Sequence, residues 1–61
     1  MCLSTVVNQK KEQLAKNVAF VTTKDGKLVF TDIMGIPLAI EAEIVKIDLM
    51  ENLIYVNQVA E

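Results

Sequence analysis

The sequence predicts an all-β fold, a small SH3-like or bent antiparallel barrel of six to seven short strands, and three observations lead there. Apolar and polar residues alternate along much of the chain, with frequent Val, Ile and Thr, as in half-buried strands. Turn-forming sequences recur between these runs, Lys24-Asp25-Gly26-Lys27 being the clearest. The length of 61 residues, with 52% hydrophobic residues, leaves room for one domain spanning residues 1–61. In so small a β-chain, closing or bending the sheet protects edges that would otherwise aggregate.

A first strand is expected from Cys2 to about Val7, with Leu3, Thr5 and Val7 on one face and Cys2, Ser4 and Val6 on the other. If Leu3 and Val7 face the core, Cys2 faces out. Asn8 to Lys11 has turn composition. Glu12 to Lys16 tolerates a helical turn, but so short a segment makes a poor helix alone, and a hairpin return as an edge strand is preferred. Asn17 marks a bend before a strand from Val18 to Thr23. The Asp25-Gly26 turn supplies the positive φ angles for a hairpin, and Leu28 to Thr31 returns. Asp32 to Gly35 turns again, with Asp32 as its cap. Pro37 opens the next segment, where its missing N–H is tolerated. Leu38 to Ala42 and a run containing Ile44, Val45, Ile47 and Leu49 follow as strands. Met50-Glu51-Asn52 turns into a last strand, Leu53 to Asn57, and Gln58 to Glu61 form an edge or a frayed tail.

Composition excludes several functions. A net charge of -2 and a pI of about 4.9 argue against nucleic acid, which calls for a concentrated basic surface. Only Lys10 and Lys11 adjoin, and they read as a solvated turn. No apolar run approaches the roughly 20 residues that cross a bilayer. Ser4, Thr5, Asn8 and Gln9 break up the start, so no secretion signal is expected and a cytoplasmic location follows. There is no histidine, no Cys/His or Ser/His pairing and no glycine-rich phosphate loop, which places an enzyme last among the readings.

The remaining polar residues have structural readings. Glu41 and Glu43 would share one strand face as a solvated rim, and Asp48 would end an exposed strand face. Phe20 and Tyr55 read as core or dimer-contact residues. Met34 and Met50 fall in turns, where packing or exposure is commoner than metal ligation.

Cys2 is the exception, the single cysteine of the chain. It could be a small apolar residue at a strand start. It could also be a ligand: with Met1 removed, its thiolate and α-amine form a five-membered chelate, and with Met1 retained its backbone nitrogen is still within reach of its own sulfur. One thiolate and one nitrogen do not fill a four-ligand site. A two-fold homodimer would supply two of each, in a tetragonal or square-planar set that favours Ni(II) or Cu(II) over structural zinc.

Met1-Cys2-Leu3-Ser4-Thr5-Val6, the central Leu28-Val29-Phe30-Thr31-Asp32-Ile33-Met34-Gly35, and Ile44-Val45-Lys46-Ile47-Asp48-Leu49 with Leu53-Ile54-Tyr55-Val56 resemble, in order and spacing, the CooT family of small nickel-binding proteins. The resemblance spans nearly the whole chain. It implies a homodimeric small β-barrel, one Ni(II) per dimer bound through Cys2, and a role as a metallochaperone supplying nickel to carbon monoxide dehydrogenase or a related nickel enzyme. Cys2 is the one functional position that carries over. The alternative is a small β-barrel RNA-binding or protein-interaction module in which Cys2 is incidental.

Overall fold

The computed structural model describes residues 2–59, so Met1 and the end of the expected tail, Ala60 and Glu61, lie outside the described residues. Six strands form one sheet: β1 (Ser4–Val7), β2 (Gln13–Lys24), β3 (Lys27–Asp32), β4 (Pro37–Ile40), β5 (Ala42–Asp48) and β6 (Leu53–Gln58). Their order across the sheet is β4-β3-β2-β1-β6-β5. Every neighbouring pair is antiparallel except β1 with β6, which run parallel. The two edges, β4 and β5, follow each other in the chain and diverge from Glu41 without hydrogen bonding to one another. The result is a bent, open sheet, compatible with a small barrel that has not closed.

Placing the four-residue β1 in the middle has a direct consequence for the core. Val6 pairs with Ala15 on one side and Ile54 on the other, and it is fully buried. Val6, Val18, Phe30, Ile54 and Val56 make up the core, with Leu14, Ala15, Val21, Leu28, Ile40 and Ala42 packed around them. The face carrying Ser4 and Val6 is therefore the inner one, the reverse of an arrangement with Leu3 and Val7 inward. Val7 opposes Tyr55 on the outer face, where both are half-buried. Phe30, rather than Phe20, is the core aromatic: Phe20 lies opposite Thr31 on the outer face and is 56% exposed.

Glu12 to Lys16 does not form an edge strand. Residues from Gln13 onward belong to one twelve-residue strand, paired with β1 and then β3. Asn17 is a left-handed residue within it (φ 56°), and the ladder shifts register on either side. Such irregularities add local bend and twist, so Ala15 and Val18 both reach the inner face although three residues apart. A second irregularity falls at Val45 in β5, letting Ile44 and Ile47 both oppose inward β6 residues, Val56 and Ile54.

The turns follow side-chain chemistry. Asp25 (φ 53°) and Gly26 (φ 79°) are both left-handed, as a two-residue hairpin of type I′ requires. Asp32 Oδ1 accepts hydrogen bonds from the Met34 and Ile36 amides, and Gly35 completes that turn at φ 86°. Asp48 Oδ1 does the same for the Met50 and Glu51 amides. The turn near Asn8 is more deeply tied. Asn8 is buried, its Oδ1 accepts from the Lys10 and Glu12 amides, and its Nδ2 donates to Glu12 Oε1 and Gln58 Oε1. That network joins the β1–β2 hairpin to the end of β6 and supports the parallel β1–β6 pairing.

The remaining strand boundaries differ modestly from the sequence expectation. The first strand begins at Ser4, so Cys2 and Leu3 precede the ladder. The expected Leu38–Ala42 strand breaks at Glu41, Ala42 opening β5, and Leu49 falls in the turn after β5.

Candidate metal centre

Cys2 is a free, exposed thiol two residues ahead of β1. Because β1 is central, the chain enters the sheet between β2 and the turn that feeds β6. The Thr5 amide donates to the Asn52 carbonyl at 2.9 Å, and Thr5 pairs with Leu53. Elsewhere on the surface, Phe20 of β2 and Leu49 and Met50 of the turn after β5 are exposed, the last two by 79% and 92%.

Among the described residues no three His, Cys, Asp or Glu side chains come together in a group that could hold a metal ion. Among the described residues, Cys2 is therefore not part of a ready-made group of three such ligands. The other sequence candidates lie elsewhere. Glu41 sits at the break between β4 and β5, its carbonyl accepting from the Val59 amide, and Glu43 pairs with Asn57 on the outer face of β5; both are exposed. Asp32 caps its turn as expected. Asp48 does more than end a strand face: it is half-buried, caps the following turn, and places Oδ2 3.9 Å from Lys46 Nζ. Lys46 also lies 5.4 Å from the centre of the Tyr55 ring, so a cation–π contact and a loose ion pair hold it against its own sheet. Met34 is 79% exposed in the Asp32–Gly35 turn. Lys10 and Lys11 are exposed in their turn, where Lys11 adopts a left-handed φ of 64°.

Sequence reasoning did not single out Leu49 as an exposed apolar residue. The adjacent pair Leu49-Met50 ahead of Glu51-Asn52 was the available signal, since two large apolar residues in a turn gain no burial there. The outward placement of Phe20 follows from the register shift between Val18 and Phe20, which short stretches of sequence do not show.

The comparison with curated proteins finds no match. A solved structure described as "putative CooT from Carboxydothermus hydrogenoformans" superposes with a TM-score of 0.87 at 19% identity, covering 97% of this chain and 100% of that one. At that identity the likeness establishes the fold. The family described as CO dehydrogenase accessory protein CooT matches residues 1–57, nearly the full length, and includes the Cys2 end, the central turn and both C-terminal strands. The chain belongs to the CooT family of CO dehydrogenase accessory proteins.

Proposed function

We propose that this protein is a nickel-binding accessory protein. Two copies associate as a homodimer, and their Cys2 thiolates, each with its own main-chain nitrogen, hold one Ni(II) between them. The ion is cargo for carbon monoxide dehydrogenase or a related nickel enzyme. The observation that carries the reading is the exposed Cys2 ahead of β1, a soft donor in a chain whose described residues bring no three His, Cys, Asp or Glu side chains together. A second Cys2 related by two-fold symmetry supplies the missing ligands in the planar geometry that suits Ni(II).

Burial supports self-association. Among the described residues, five hydrophobic residues are buried, whereas eleven large ones are exposed, Phe20, Leu49 and Met50 among them. Chains near this size gain from oligomerisation because one small core contributes little net stability. Exposed thiolates suit delivery as well, since an incoming donor on the client must reach the metal to displace them.

Titration of Ni(II) into reduced protein, followed by sulfur-to-metal charge-transfer absorption, tests the site. The absorption should saturate at one ion per two chains. Cys2→Ser should abolish that band and weaken binding by more than about 100-fold, a loss beyond that of a supporting residue. Retention of the band in Cys2→Ser would remove Cys2 from the site.

A further inference from the structure

The two edges of the sheet are not equivalent. β4 is four residues long and opens with Pro37, which lacks an N–H and blunts the edge. β5 is seven residues long, contains neither Pro nor Gly and, among the described residues, pairs only with β6. Among the described residues, no backbone bond outside the sheet ladders involves residues 42–47, so the outward amides and carbonyls of β5 have no backbone partner. Both faces of this strand are also open. Ile44, Val45 and Ile47 are 40%, 60% and 52% exposed, although Ile44 and Ile47 stand on the side that buries Val56 and Ile54 in the neighbouring strand.

Charge distinguishes this edge further. Glu41 and Glu43 lie at its start, and Asp48 and Glu51 at its end and in the following turn. The one lysine between them, Lys46, is held by Asp48 and the Tyr55 ring. These carboxylates do not converge into a cation site. They are strung along an open strand, and a strand-shaped basic partner matches that spacing where a single ion does not.

We propose that the β5 edge accepts, as a seventh strand, an extended segment of another protein in which apolar and basic residues alternate. Main-chain hydrogen bonds to the free edge would provide affinity. The apolar side chains would cover Ile44 and Ile47, and the basic ones would pair with Glu41, Glu43 and Glu51. Binding at β5 does not depend on nickel at Cys2, so metal-free protein is the sample of choice.

The probe is a capped octapeptide of alternating valine and lysine, with two controls: the same peptide with glutamate for lysine, and one with proline at its two central valine positions. Isotope-labelled protein is titrated with each, and amide shifts and hydrogen exchange are recorded. Binding of the lysine peptide, with new exchange protection confined to residues 43–47, is expected. The glutamate and proline peptides should bind about tenfold more weakly or worse. The double variant Glu41→Lys/Glu43→Lys changes two exposed side chains and should lose about tenfold in affinity for the lysine peptide. Equal binding of the glutamate peptide, or protection elsewhere in the sheet, overturns the proposal. So does protection of residues 43–47 in free protein that grows with protein concentration, which would assign the edge to a second copy of this chain.

Discussion

β5 and β6 are hydrogen-bonded neighbours of similar apolar content and opposite fate. Ile54 and Val56 of β6 are 4% and 1% exposed, while the facing Ile47 and Ile44 of β5 are about half and two-fifths exposed. The residue types do not explain this. Position does: β6 lies between β1 and β5, and Ile54 and Val56 join Val18 of β2 and Phe30 of β3 in the core, whereas β5 has a hydrogen-bonded neighbour on one side alone among the described residues. An apolar strand at an open edge is half of an unfinished contact. The same holds for Phe20 of β2 and for Leu49 and Met50 of the turn after β5, all of which stand exposed. The interior explains how the chain folds, and the exposed apolar groups indicate where it meets other molecules.

That contrast can be broken at three positions. The largest effect is expected at Phe30, the bulkiest fully buried side chain. Phe30→Ala should cost about 4 kcal/mol through lost burial and a residual cavity, enough to unfold much of a domain this small. Circular dichroism in urea would report it, and a loss under about 1 kcal/mol would mean that the core lies elsewhere. A smaller effect is expected at Asn8. Replacing it with Ala removes the bonds to Glu12 and Gln58 and leaves the Lys10 and Glu12 amides without their acceptor, for about 2 kcal/mol. Faster hydrogen exchange in β1 and at the end of β6 should accompany that loss, and unchanged exchange there would detach Asn8 from the β1–β6 junction. The smallest effect is expected on the edge: Val45→Ala, at a 60% exposed position, should change stability by no more than about 0.5 kcal/mol. A loss as large as that of a buried valine would show that β5 is already covered in solution.

How far the sequence led depended on whether a feature was local. The Asp25-Gly26 hairpin, the Asp32 cap and the strands around Phe30 and Tyr55 are written in short stretches of sequence, and the structure agrees with them. The pairing of the first strand with the last is not local, and neither is the inner face of β1, since alternation gives two faces but not which one meets the core. Irregularities at Asn17 and Val45 defeat simple period-two counting, because they bring residues three apart onto one face. The candidate site was legible as chemistry, in a lone thiol near the start of the chain. Its surroundings were not, because the strands that flank the chain start are set by the non-local β1–β2 and β1–β6 pairings.

The most direct test of the central claim is native mass spectrometry of reduced protein with Ni(II), read for chain number and bound ions together, with Cys2→Ser in parallel. The account predicts a dimer carrying one nickel, and a dimer of the variant carrying none. One nickel on a single chain, or the same loading in Cys2→Ser, would contradict it.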